Sequence, residues 1–191
     1  MKINNKIIIF NRLTSSGLYK LPNKSQLRGI DAILDYCVNI CEMDDARQIA
    51  YILATAYHET ARTFEAIEEF GKGKGRKYGQ KIKMNGKGYL RPDQIYYGRG
   101  LVQSTWYENY EKFGKLLGID LLENPKMALD LAISVKILVE GMRGGLFTGR
   151  GLDRYFNTER CDYVNARKIV NGLDKAELIA GYAQKFYFCI S

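Results

Sequence analysis

The run from Ala46 to Tyr57 constrains this chain most. Ala46, Ile49, Ala50, Leu53, Ala54, Ala56 and Tyr57 leave a helix of that length almost no polar face. A helix apolar nearly all round belongs inside a protein, with other elements wrapped about it. The chain must therefore supply amphipathic partners. The fold class this predicts is mainly α, centred on one helix over about 44–58.

Those partners are legible from their spacing. Leu27, Ile30, Ile33, Leu34, Cys37, Val38 and Cys41 recur at intervals of three and four, predicting a helix over 25–41 that Ser25 or Asn23 can cap. A helical period returns at Ser104 and runs to Leu117, where Gly118 stops it. Asn124-Pro125 opens another helix, with Ala128, Leu131, Val135, Leu138 and Met142 on its apolar face and Gly144-Gly145 at its end. A short helical turn is predicted over 150–157, and a helix over 162–170 stopped by Asn171-Gly172. Asp174 with Glu177 marks a capping-box start to a last helix that buries Leu178, Tyr182, Phe186 and Cys189. Residues 1–24 show no clean period. Residues 71–100 hold eight of the 19 glycines and predict a small β element, with turns at Gly86 and Gly88 and strand-forming residues at Ile95, Tyr96 and Tyr97. The expectation is a single domain over 1–191, α+β in detail, with 71–100 as a basic, glycine-rich insertion.

Composition excludes several classes. A chain of 191 residues with 46% hydrophobic and 26% charged residues is that of an ordinary globular protein. No apolar run is long enough to span a bilayer. Ile7 to Phe10 is too short for a signal-peptide core, so a protein made in the cytoplasm is expected, reaching any wall substrate only after release. Of Cys37, Cys41, Cys161 and Cys189, the first two are expected as small buried hydrophobes on one helix face, and no disulfide framework is expected. One histidine is too few for a histidine-rich metal site. The net charge is +8, and residues 71–91 carry eight Lys and Arg with no Asp or Glu. The positive charge is thus local, suited to an anionic polymer or to a solvated loop.

Known catalytic patterns mostly fail. His58-Glu59 begins a zinc-protease pattern, but position 62 is Arg where the second His would stand. No Gly-Lys in the glycine-rich stretch is followed by Ser or Thr, so no phosphate loop is present. Carboxylates remain. Glycoside hydrolysis needs one protonated acid to donate to the leaving oxygen and a second carboxylate as base or nucleophile. Glu59 ends the buried helix, where desolvation would favour its protonated form. Glu65, Glu68 and Glu69 lie within ten residues. Glu69 borders the basic segment, which would favour its ionised form, whereas Glu65 and Glu68 fit a solvated acidic face.

The sequence resembles a known family in three places. His58-Glu59-Thr60 is similar to the His-Glu-Thr segment of the family 19 glycoside hydrolases. Tyr96-Tyr97-Gly98-Arg99-Gly100, followed by Gln103, Thr105, Asn109 and Tyr110, resembles that family's signature. Ile169-Val170-Asn171-Gly172 resembles its late Ile-Asn-Gly turn. The likeness covers about residues 25–190 and is closer to the compact phage endolysin branch than to plant chitinases, whose cysteine-bearing loop is missing.

The resemblance implies a lysozyme-like fold and an inverting, cofactor-free and metal-free hydrolysis. It implies Glu59 as proton donor and Glu69 as base, with Glu68 the alternative one position earlier, and a hydroxyl at Thr105 to hold the attacking water. Gln103, Asn109 and Asn171 would bind sugar, and Tyr97 and Trp106 are candidate sugar platforms, with at least one of Tyr96 and Tyr97 expected in the core. Arg99 would organise its turn. No counterpart is legible near Ile179 for the arginine that plant members carry in the last helix. The expected substrate is the glycan strand of bacterial peptidoglycan, cut by a monomer that binds no nucleic acid. Rivals are a chitinase, a lytic transglycosylase, an inactive glycan-binding module and a basic nucleic-acid binder.

Overall fold

The computed structural model describes residues 6–191; residues 1–5 of the stretch without a clean period lie outside the described residues. Among the described residues six α-helices carry the fold: α1 (Lys6–Ser15), α2 (Lys24–Asp35), α3 (Ala46–Glu59), α4 (Tyr107–Leu117), α5 (Leu131–Arg143) and α6 (Ala176–Ile190). The apolar helix is α3, and every side chain from Ile49 to Tyr57 is buried. It packs most extensively on α6 and also meets α2 and α5, while α1 lies on α6. Around Tyr57 the rings of Tyr19, Phe64, Tyr182 and Phe186 meet at centroid distances of 4.8–6.1 Å. The Tyr57 hydroxyl is satisfied by donating to the Leu18 carbonyl.

Several boundaries differ from the sequence expectation, each for a local reason. Helix α1 occupies part of the stretch without a clean period, because Ile9 and Leu13 reach the core while Ile7 and Ile8 stay exposed. Helix α2 has Asn23 as its cap, in a capping box with Gln26, and then widens into a π-helical turn over Tyr36–Ile40. The helix expected from Ser104 starts only at Tyr107, because Gln103 and Trp106 take left-handed backbone conformations. After Asn124 the chain makes a 3-10 turn, Pro125–Leu129, and Asp130 then breaks it with extended backbone and caps α5 through the Ile133 amide. The expected helix over 162–170 is a 3-10 turn, Asn165–Ile169. No Asp174 side-chain cap opens α6; Lys175 stands before it with φ of 56°. Ile179, Ala183, Phe186 and Cys189 face the core, and Leu178 is exposed.

The sheet is antiparallel and two-stranded, β1 (Ile67–Glu68) with β2 (Arg99–Gly100), pairing Glu68 with Arg99. One strand therefore precedes the glycine-rich insertion. Ile95–Tyr97 form no strand, and within the insertion only Ile82 and Gly88 bridge, around a turn at Gly86. The insertion is not a free loop. The Met84 amide donates to Glu108 of α4 at 2.8 Å, and the Lys83 ammonium sits 4.1 Å from the centre of the Tyr107 ring. All four cysteines are free, with Cys37 and Cys189 buried, Cys41 half-buried and Cys161 exposed. Among the described residues no helix is long and apolar enough to cross a membrane.

Candidate active site

Glu59 is the last residue of α3, so a helix buried along most of its length sets its position. The chain then reverses within five residues. Ala61, Arg62 and Phe64 all take positive φ, the Thr60 hydroxyl accepts from the Phe64 amide, and the Phe64 ring plugs the core. Three left-handed non-glycine residues in one turn store conformational strain, which surrounding packing must hold. The turn delivers β1, and with it Glu68 and Glu69, beside the segment that follows β2.

A cleft of about 410 Å3 opens there. Its walls include Glu59, Tyr78, Gln103, Thr105, Trp106, Asn109, Phe147 and Asn171. The structure thus brings together five residues expected from sequence alongside Glu59: Gln103, Thr105, Trp106, Asn109 and Asn171. They come from the turn after β2, the first turn of α4 and the chain before α6. Gln103 spends its amide nitrogen on the backbone, donating to the carbonyls of Ile67 and Gly100. Asn109 donates to the Thr105 carbonyl at 2.8 Å, and its Oδ1 is buried without a partner among the described residues. A buried acceptor with no partner suits a donor that arrives with a ligand.

Glu68 and Glu69 leave the strand on opposite faces, as consecutive extended residues do. Glu69 accepts from the hydroxyl of Tyr78, a cleft residue, at 2.7 Å, and from the Gly98 amide at 3.0 Å. Glu68 accepts from the Tyr97 hydroxyl at 2.6 Å, with the Lys72 ammonium at 3.3 Å and Arg99 Nε at 3.5 Å. The Tyr97 hydrogen bond first, then these cations, hold the Glu68 carboxyl below the usual carboxylate range. Glu68 is thus a fixed member of a charge network rather than part of a solvated acidic face.

Tyr97 is not in the cleft. It is buried, its ring lies 3.6 Å from the Arg99 guanidinium, and its hydroxyl is committed to Glu68. The aromatic platform expected at this position is a buried support instead. Arg99, 3% exposed, also donates to the Ile95 carbonyl and the Tyr110 hydroxyl, so it fixes the turn from inside. Trp106 does line the cleft, edge-on to Tyr78 at 5.8 Å.

Among the residues that escaped the sequence reading, two contact the candidate catalytic carboxylates. Tyr78 lies in the basic insertion, where charge dominated the pattern. Arg167, 4% exposed, donates from Nη1 to Glu59 Oε1 at 2.7 Å and from Nε to the Asp174 carbonyl at 3.1 Å. Glu59 is therefore not left among apolar groups as its helix suggested; it faces a buried cation. The available signal was an arginine set among Val164, Ala166, Ile169 and Val170, a place where only a paired cation is stable.

Chitinase C from Streptomyces griseus HUT6037 superposes with a TM-score of 0.65 over 96% of this chain and 75% of its own, at 20% identity, which is a shared lysozyme-like helical fold. An Arabidopsis thaliana endochitinase is 40% identical over 81 residues, 42% of this chain and 29% of its own length. The Hevea brasiliensis protein named inactive chitinase-like protein 1 is 47% identical over 49 residues, 25% of this chain and 16% of its own. The matched segments thus span less than a third of either curated relative. The family model described as chitinase class I matches residues 35–140, more than half of the chain and the stretch that carries Glu59, Gln103, Thr105 and Asn109, so the chain belongs to the family 19 glycoside hydrolases.

Proposed function

We propose that this chain hydrolyses β-1,4 glycosidic bonds in the glycan strands of bacterial peptidoglycan, acting as a monomer at the cell wall after release from the cytoplasm. The observation that carries hydrolysis is the gathering of Glu59, Thr105, Asn109 and Asn171 around one cleft, with Glu69 linked to it through Tyr78.

The mechanism is a single displacement. Arg167 holds Glu59 Oε1 and leaves Oε2, which accepts no hydrogen bond among the described residues, to carry the proton to the glycosidic oxygen. Glu69 removes a proton from water that the Thr105 hydroxyl helps to hold, and attack from the opposite face inverts the anomeric centre. Room for that water calls for carboxyl groups about 6.5–9.5 Å apart. Glu68 is the rival base, favoured by the contacts that keep it ionised. Asn109 Oδ1 would accept from a sugar hydroxyl or N-acetyl amide, and Trp106 would support a ring face.

Cleavage of chitin is the second reading, supported by the names of the matched relatives. Chitin is uncharged, however, and would leave Lys74, Arg76, Lys77 and Lys87, which form no ion pair among the described residues, without a counterpart. The test is turbidity loss of purified peptidoglycan and cleavage of N-acetylglucosamine oligosaccharides by wild type, Glu59→Gln, Glu68→Gln and Glu69→Gln, with mass spectrometry of the products. Clearing by wild type but not Glu59→Gln, with reducing ends and no anhydro sugar, is expected. Loss of cleavage in Glu69→Gln but not Glu68→Gln assigns the base to Glu69, and the reverse assigns it to Glu68. Cleavage of chitooligosaccharides alone makes the protein a chitinase. Binding without cleavage of either substrate would overturn the enzyme reading.

A further inference from the structure

A second concavity is walled in part by the turn that carries Arg167. Its volume is about 320 Å3, and its walls are Arg150, Arg154, Tyr155, Arg160, Asp162, Asn165 and Lys168. Four of these seven residues are cations. The one acid, Asp162, accepts from the Asn165 backbone amide at Oδ1 and from its side-chain amide at Oδ2, both at 2.9 Å, and its charge offsets one of the four cations. Lys168 donates to Asn165 Oδ1 at 2.7 Å, and Arg160 to the Arg154 carbonyl at 3.2 Å. None of the four cations forms an ion pair with a carboxylate among the described residues. The fold therefore gathers an excess of positive charge in one concavity, an arrangement that suits an arriving anion. Three of the four are arginines, whose planar donors match carboxylates in pairs.

Its position relates it to the cleft. The Thr148 hydroxyl donates to the carbonyls of Lys168 and Ile169, tying the chain after α5 to the turn at 165–169. On these tied segments Phe147 and Asn171 face the cleft, whereas Arg150 and Lys168 face the basic pocket. The members of each pair are three positions apart, a reach of at most about 11 Å. A polymer lying in the cleft can place a substituent in the pocket.

We infer that this basic pocket binds a carboxylate borne by the peptide substituents of the glycan strand and so selects the anionic wall polymer over neutral chitin. The inference rests on the peptidoglycan reading above. It adds residues outside the family motifs and outside the basic insertion on which the charge argument of the sequence rests.

The test uses the full chain with Glu59→Gln to prevent turnover. Calorimetric titration compares a disaccharide-tetrapeptide from peptidoglycan with a neutral N-acetylglucosamine tetrasaccharide, before and after adding Arg150→Gln and Arg154→Gln. Affinity for the peptide-bearing ligand should fall at least about tenfold, the worth of one charge-assisted hydrogen bond. Affinity for the neutral ligand should stay within about twofold, as for surface substitutions. An unchanged thermal midpoint identifies a folded variant, and Arg154→Gln alone serves if the double variant does not fold. Equal losses for both ligands, or no loss for either, would overturn the inference while clearing of peptidoglycan by wild type leaves the proposed function standing. Absence of clearing by wild type would instead remove the proposed function, whatever the pocket binds.

Discussion

Arg167 holds Glu59 through one guanidinium nitrogen at 2.7 Å, in a place where the arginine is 4% exposed and the glutamate 16%. Removing one partner of a buried pair strands the other charge, a loss of about 3 kcal/mol or more. Arg167→Gln should therefore destabilise the protein by about that amount in urea unfolding. Adding Glu59→Gln should restore part of the stability, because no charge is then left unpaired. A double variant no more stable than Arg167→Gln would show that the arginine acts through its Asp174 contact instead. Where the variant folds, kcat should fall more than KM rises, since Arg167 orients the acid and is not among the cleft-lining residues. A second residue-scale prediction concerns acid. Burial holds the His58 imidazole below its ordinary value of 6.5, and the Tyr97 hydrogen bond holds Glu68 below 4.5. Both folded values are depressed, so both contributions are present above the unfolded values and are lost as pH falls through the folded ones. The thermal midpoint should drop in two stages between about pH 7 and pH 3. Glu68→Gln should flatten the lower stage and leave the upper one in place.

At the scale of elements, two glycines in helices should respond with opposite signs. A Cβ on Gly29 in α2 would lie 2.4 Å from the Phe64 carbonyl oxygen and 2.6 Å from its Cβ, whereas one on Gly181 in α6 meets nothing within 4 Å. Alanine favours a helix interior by about 1 kcal/mol over glycine. Gly181→Ala should thus raise stability by up to that amount. Gly29→Ala should lower it by about 2 kcal/mol, because overpacking against backbone outweighs propensity. Urea midpoints of both variants decide it, and a stabilised Gly29→Ala would mean that the Phe64 turn yields easily. Gly29 also shows where the sequence stops being informative. The apolar period of α2 and the all-apolar surface of α3 were legible because burial repeats along the chain. The close approach of Gly29 to Phe64, the left-handed residues Gln103 and Trp106, and the break at Asp130 depend on tertiary contacts that no local pattern encodes. The gathering of Gln103, Thr105, Trp106, Asn109 and Asn171 with Glu59 followed from motif resemblance. Arg167 did not, because its partner lies 108 positions away. Tyr97 was misplaced for a related reason: an aromatic residue in a motif looks the same whether it supports a sugar or an arginine.

For the whole molecule, the question is how the net charge of +8 is used. Eight cations lie in residues 71–91, on an insertion that contributes Tyr78 and Met84 to the cleft and is tied to α4 through Met84 and Lys83. Some are engaged internally, as Lys72 is with Glu68 and Lys81 with Asp93. Lys74, Arg76, Lys77 and Lys87 form no ion pair among the described residues. Exposed charges act over about 8–10 Å at moderate ionic strength and are screened beyond that. They speed the approach to a polyanion more than they strengthen any single contact. Replacing those four by Gln would halve the net charge without touching the cleft. Initial rates on insoluble peptidoglycan should then fall several-fold at low salt, and the steep salt dependence of wild type should flatten. Rates of the two proteins should converge as salt rises to about 0.5 M, where the screening length is only a few ångströms. Wild-type rates that ignore salt would mean that the insertion serves only as a wall of the cleft. A four-residue variant that loses activity equally at every salt concentration would mean that these cations contact the substrate directly.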